Sequence, residues 1–118
     1  MSTPLAFGYV RLGRPDKTRL EALRRSIRAF CGREGLALDL VFADSGVPST
    51  EPVRPGWTAL IDVLSQAKAH AVVLPTLNHL SRDPVLRAEL RAQITQTGAL
   101  ICLLPPAESQ HHDPKPAW

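Results

Sequence analysis

Three arginines stand where apolar runs give way to turn residues. Arg11 follows Leu5–Val10, Arg54 precedes Pro55-Gly56, and Arg82 ends the segment Leu77-Asn78-His79-Leu80-Ser81-Arg82. A guanidinium at a strand end presents a planar fork of donors, which suits bidentate capture of a phosphate-type oxyanion. Plainer accounts compete with this one. Arg11 could pair with Asp16, Asp44 or Asp83, and Arg54 and Arg82 could be solvated surface charges. On residue types alone the plainer accounts are the better ones. Nucleophiles near the arginines are few. Ser45, Ser49 and Thr50 fit loop capping, and no Ser-His-Asp arrangement suggests a triad. His111-His112, with Asp113, offers two adjacent imidazoles, too few to close a metal site, so neither metal nor cofactor is expected.

Alternating elements must bring these groups together. Leu5–Val10 is short and apolar and runs into Gly13-Arg14-Pro15-Asp16, which predicts a buried strand followed by a loop. Over Lys17–Glu34, Leu20, Leu23, Ile27 and Phe30 recur at helical spacing with arginines opposite, and Gly32 and Gly35 punctuate the end. Leu38–Ala43 predicts a second strand, and Asp44–Val53, rich in glycine, proline and hydroxyl residues, a loop. Pro55 suits the first turn of a helix running to about Lys68, with Trp57, Leu60, Ile61 and Leu64 facing inward. Ala71–Leu74 predicts a third strand that Pro75 ends. Asp83 is a cap for a helix from Pro84, whose inward residues are Leu86, Leu90 and Ile94 and which Gly98 closes. Ala99–Leu104 predicts a fourth strand.

Such strand–helix alternation is expected to fold as α/β, with three layers, a mostly parallel four-stranded sheet, and helices on both faces. Right-handed crossovers gather the loops after the strands at one edge, where ligands bind in such sheets. Arg11, Gly13, Asp44, Asn78, His79 and Arg82 fall in or near those loops.

The totals set bounds. The chain has 118 residues, 44% of them apolar, which suits one domain over 1–104 followed by a loose tail over 105–118 that carries four prolines. A net charge of +3 permits nucleic-acid binding but does not argue for it, because acidic residues are mixed in throughout. Aromatic residues at 5% argue against a base-stacking platform. Cys31 and Cys102 lack CxxC spacing and read as buried thiols in a reducing compartment. No basic-then-apolar leader and no membrane-length apolar run occurs, so the chain reads as cytoplasmic with no membrane partner. His70 is expected at the surface, Trp57 in the core or an interface, and Trp118 exposed unless a partner buries it.

The segments Phe7-Gly8-Tyr9-Val10-Arg11-Leu12-Gly13, Arg54-Pro55-Gly56 and Leu77-Asn78-His79-Leu80-Ser81-Arg82-Asp83, in that order, resemble the serine recombinase (resolvase/invertase) catalytic domain over roughly Leu5–Leu104. The resemblance implies that Arg11 holds a scissile phosphate, that Arg54 and Arg82 contact phosphate, and that Asp44 occupies an acidic position near the site. It also brings out departures. Gly13 stands where the family carries the serine that attacks a DNA phosphate. Asn78 stands for an aspartate implied in proton handling, and a carboxamide is neither acid nor base at neutral pH. His79 stands for an arginine, and a neutral imidazole offers one donor where a guanidinium offers five. Lys17 stands about where the family shows a glutamine, and Ser81 falls at a spacer position. The tail prolines argue against the long helix by which family members dimerise and cross DNA, so that helix and the DNA-reading region are expected to be lacking.

The expected function is therefore a non-catalytic binding module. It keeps a residual anion pocket at Arg11, Arg54 and Arg82, with Asp44 in support, and its partner is a second copy or another protein; DNA is the weaker candidate. The alternative is a working DNA recombinase or DNA-binding protein, with a substituted nucleophile or as part of a larger assembly. A small-ligand sensor using the same cleft is a third reading. The losses fall on the chemistry positions while the apolar framework is intact, which favours the first.

Overall fold

The computed structural model describes residues 3–106. Its elements are β1 (Leu5–Leu12), α1 (Lys17–Glu34), β2 (Ala37–Ser45), α2 (Pro55–Gln66), β3 (Ala71–Leu74), a 3₁₀ turn (Leu77–His79), α3 (Pro84–Thr95) and β4 (Leu100–Leu103). The four strands lie in the order β2-β1-β3-β4, and every neighbouring pair is parallel.

Alternate residues of the central strands feed two cores. Ala6, Val10 and Leu12 of β1 and Ala71 and Val73 of β3 pack with Leu23, Ile27 and Cys31 of α1 on one face. Phe7, Tyr9, Val72 and Leu74 pack on the other face with Trp57, Leu60 and Leu64 of α2 and Leu86, Leu90 and Ile94 of α3. The three-layer expectation holds, because buried parallel strands must be apolar on both sides and each helix offers one apolar stripe. Each fully buried leucine or isoleucine contributes on the order of 1.5–3 kcal/mol.

Helix starts and stops follow local chemistry. The Asp16 carboxylate accepts from the Arg19 N–H at 3.0 Å and opens α1, and Gly35, at φ 69°, closes it in the left-handed region. Asp83 accepts from the Val85 N–H at 3.3 Å and opens α3, as its place before Pro84 predicts. Trp57 lies in the core, its Nε1 donating to Gln93 Oε1 at 2.7 Å, and His70 is exposed. Cys31 is buried and Cys102 half-buried, both against the α1 core.

The strand ends differ from expectation in a way that matters for the site. β1 runs on to Leu12 and β2 to Ser45, so Arg11 and Asp44 sit inside strands, paired with each other in the register. An apolar run stops at its first charged residue, whereas the hydrogen-bond ladder continues for as long as the backbones stay extended. α2 ends at Gln66, short of Lys68, and β4 at Leu103. Among the described residues no helix is long and apolar enough to cross a membrane. The expectations for His111, His112, Asp113 and Trp118 lie outside the described residues, as does most of the 105–118 tail.

Candidate functional site

The ends of β1 and β2 and the turn after β3 meet around Arg11. Its Nη1 donates to Val47 O and its Nη2 to Asn78 O, each at 3.0 Å, and its backbone N–H donates to His79 Nδ1 at 3.0 Å. The expected ion pair is thereby corrected. Among the described residues no carboxylate reaches Arg11, because Asp16 and Asp83 cap helices and Asp44 faces other donors. The Nε of Arg11 is buried and has no hydrogen-bond partner. Burial, and next the nearby Arg54 guanidinium, pull the Arg11 pKa below its usual value, with Arg82 and Arg19 adding to the same effect.

Arg54 is not a surface charge. It is 0% exposed, and it donates from Nε to Glu51 O at 2.7 Å, from Nη2 to Ser49 O at 3.0 Å and from Nη1 to His79 O at 3.4 Å. A buried guanidinium needs several acceptors, and the loop carbonyls supply them. Its role in this geometry is to tie the 46–53 loop to the 3₁₀ turn.

Asp44 is the cap of a helix on another element. Its Oδ1 accepts from the Gly56 N–H at 2.7 Å, and its Oδ2 accepts from the Trp57 N–H at 2.9 Å and from the Tyr9 hydroxyl at 2.8 Å. Two first-turn amides of α2, which Arg54 does not cap with its side chain, are satisfied this way. The approach demands glycine at position 56: a β carbon there would stand 2.5 Å from Ala43 O and 2.8 Å from Asp44 Oδ2. Burial and the Asp44 carboxylate push the Tyr9 hydroxyl above its ordinary range, so it remains a donor.

Gly13, Asn78 and His79, where the resemblance implies other residues, all lie around Arg11. Gly13 is exposed, its φ is not positive, and a β carbon added to it would meet only Arg11 Nη1, at 3.8 Å. Asn78 is exposed and contributes its carbonyl to Arg11. His79 is buried, and its pKa is lowered to about 3, first by burial and then by the Arg11 and Arg19 charges. It is therefore a neutral acceptor at ordinary pH.

Two hydroxyls near the arginines, those of Ser49 and Ser81, are engaged in the loops. Ser81 is buried; its Oγ donates to Ser49 O at 2.8 Å, accepts from the Asp83 N–H at 3.0 Å, and stands 3.2 Å from Ser49 Oγ. Ser49 Oγ accepts from the Arg82 N–H at 2.6 Å. Neither hydroxyl is bonded to an imidazole or a carboxylate, the groups that would activate it. Arg82 itself is exposed.

Sequence reasoning missed Arg19. It lies in the first turn of α1, it adds to the charge around Arg11 and His79, and its Nε is buried without a partner. Being one of five arginines on α1, it carries no distinguishing mark in the sequence.

The family model described as Resolvase, N terminal domain, matches residues 6–114. The catalytic domain of ISC1926 TnpA, an IS607-like serine recombinase, is similar in structure with a TM-score of 0.75, at 18% identity over 84% of this chain and 68% of that one. The N-terminal catalytic domain of TP901-1 integrase gives 0.75 at 17% identity, over 84% of this chain and 77% of that one. A resolvase family site-specific recombinase from Streptococcus pneumoniae gives 0.69 at 15% identity, over 85% and 72%. No curated protein matches significantly. Identities this low show the shared fold, and the family match spans nearly the whole chain. The protein belongs to the resolvase N-terminal domain family, the catalytic-type domain of serine recombinases.

Proposed function

We propose that this domain has lost DNA strand cleavage and acts as a binding module that retains an oxyanion cradle at its strand ends. One observation carries the reading. The position from which an attacking oxygen would face Arg11 is a glycine, with open space around it and a guanidinium 3.8 Å from where its β carbon would be. The surroundings agree with it. Asn78 cannot move a proton, His79 is neutral, and the Ser49 and Ser81 hydroxyls are engaged in holding the loops. Without a nucleophile a covalent mechanism loses orders of magnitude in rate.

The cradle consists of Arg11 and Arg82, with Arg54 holding the loop beneath them from inside the fold. The partner is a second copy or another protein. In support, β4 is an edge strand without a charged residue, and it exposes Leu100 and Leu103. Incubation with supercoiled DNA tests the loss of cleavage. The expected result is unchanged topology and no covalent protein–DNA adduct; an adduct overturns the proposal. Sedimentation over a concentration series tests for the second copy.

A further inference from the structure

We infer that the partner of this module is a second copy of the chain, joined to it along β4. The two β4 strands run antiparallel across a two-fold axis, with Ile101 of each copy opposite Leu103 of the other. The inference rests on the binding-module reading above and adds to it the partner, the surface and the register.

The sheet ends in two edges, β2 and β4, and they are built differently. β2 is guarded. Its register against β1 slips between Ala6 and Gly8, so Asp39 and Leu40 stand against Phe7 alone, and Asp39 places an exposed charge there. A bulge and a charge are the usual means of keeping a strand edge from pairing. β4 has neither. Its register against β3 is unbroken from Leu100 to Leu103, and it holds no charged residue and no proline. It is open on both faces, since Leu100 is 57% and Leu103 43% exposed and the two point to opposite sides of the sheet.

The backbone selects the register. The Leu100 N–H donates to His70 O at 2.9 Å and the Leu104 N–H to Leu74 O at 3.0 Å, so these residues and Cys102 between them turn their polar groups toward β3. Ile101 and Leu103 turn theirs to the free edge, where no strand meets them among the described residues. With Ile101 opposite Leu103 of the other copy, both symmetry-related pairs exchange both of their N–H···O bonds. Sliding one way sets Leu103 opposite itself and Ile101 opposite Pro105, which has no N–H. Sliding the other way sets Leu103 opposite Ala99, which is buried and whose N–H turns to Thr97 Oγ1 at 3.4 Å. Two-fold pairing of β4 closes on itself, whereas β4 against the bulged β2 edge would propagate without end. In the favoured register Cys102 faces its own copy as a non-hydrogen-bonded pair, with α carbons about 4.5 Å apart, inside the span of about 4.4–6.8 Å that a disulfide bridges. The competing occupant is the chain's own continuation. Residues 107–118 supply two prolines, no β-branched residue and mostly polar side chains, a poor match for an apolar edge.

Backbone amide exchange of the full chain, at micromolar and near-millimolar concentration, tests the inference alongside sedimentation. The Ile101 and Leu103 amides are expected to gain about tenfold or more protection as the dimer fills, and those of the β2 edge to gain none. L103K is expected to weaken the dimer about tenfold or more, because a lysine on the edge opposes pairing, and L40K, the same change at an exposed leucine on the other edge, to dimerise like the parent. Both variants should melt with the parent. Diamide, an azo oxidant, removes two protons and two electrons from the facing Cys102 thiols, becoming the hydrazine and leaving one S–S bond. That link is expected in the parent and in C31S, whose altered cysteine is buried, and not in C102S. Protection of Ile101 and Leu103 that is the same at every concentration shows the edge covered by the chain's own tail and overturns the inference. So do unprotected amides at every concentration, or a dimer that L40K weakens and L103K does not. A dimer that diamide never links through Cys102 overturns the register. None of these results touches the loss of strand cleavage, and a covalent adduct with supercoiled DNA would overturn that reading alone.

Discussion

The backbone N–H of Arg11 donates to Nδ1 of His79 across 3.0 Å, joining residues 68 positions apart. This bond fixes the imidazole as an acceptor at Nδ1, so in the neutral ring the proton sits on Nε2. It also fastens the end of β1 to the 3₁₀ turn after β3, the two segments whose motifs identify the family. A position that elsewhere in the family is implied to carry a charge for phosphate is here a neutral structural tie.

That tie makes stability depend on pH. The folded-state pKa of His79 is lowered to about 3, while an unfolded histidine titrates near 6.5. The unfolded chain therefore takes up the proton first. The contribution is complete above about pH 6.5 and is lost as pH falls from there toward 3. Urea unfolding at pH 7 and pH 5 should differ by about 2 kcal/mol, with the pH 5 protein less stable. His79→Gln should flatten that window, and the exposed His70 replaced by Gln should not.

Serine at position 13 should be accepted but should not restore chemistry. The backbone there needs no positive φ, and the nearest atom to an added β carbon is 3.8 Å away. Gly13→Ser should keep stability within about 0.5 kcal/mol, as surface changes do. Supercoiled DNA should remain uncut by this variant, because Asn78 supplies no acid or base and His79 no charge. A nicked or covalently linked product from Gly13→Ser alone would show those two losses to be tolerable.

Asp44 and Gly56 should be among the most sensitive positions for folding. Asp44→Ala strands the Tyr9 hydroxyl and the Gly56 and Trp57 amides together. Buried donors left without acceptors cost about 1–3 kcal/mol each, so a loss of about 3 kcal/mol or more is expected. Gly56→Ala should cost about 2 kcal/mol or more, because the atom in its way is the backbone oxygen of Ala43. Chemical denaturation of both variants checks the pair, and parent-like midpoints would contradict the cap.

Arg54 should matter for stability before it matters for any ligand. Arg54→Ala takes the side-chain donor from Glu51 O and His79 O, leaves Ser49 O with the Ser81 hydroxyl alone, and opens a cavity, for about 2–4 kcal/mol of destabilisation. Arg54→Lys should rescue little, since an ammonium is a point charge and cannot span acceptors arranged for a fork. A melting temperature like the parent's in Arg54→Lys would show that the loop does not depend on the fork.

Much of the fold was legible because periodicity is a local property. Leu23 and Ile27 on α1, Leu86, Leu90 and Ile94 on α3, and the apolar strands announce themselves within windows shorter than one element. The cap at Asp83 follows from the same short range, whereas α3 ends at Thr95 with Gln96 as its C-cap, and Gly98, at positive φ, turns the chain two residues later. The segments that resemble the family, and the glycine at position 13 where the resemblance implies a serine, were equally open to inspection, because residue identity needs no coordinates.

The partners of the charged groups were not legible, and the reason is geometric. Arg54 precedes a proline in a polar loop and looks solvated, yet it is enclosed by carbonyls that come together only on folding, against the entropy of the chain. Asp44 follows a strand and looks like a loop acid, yet its donors lie 12, 13 and 35 residues away. Arg19 is one arginine among five on a helix until folding lets its charge act on Arg11 and His79. Apolar burial is written in composition and period; which carbonyl, carboxylate or anion meets a given guanidinium depends on contacts between distant segments, and those exist only in the folded chain.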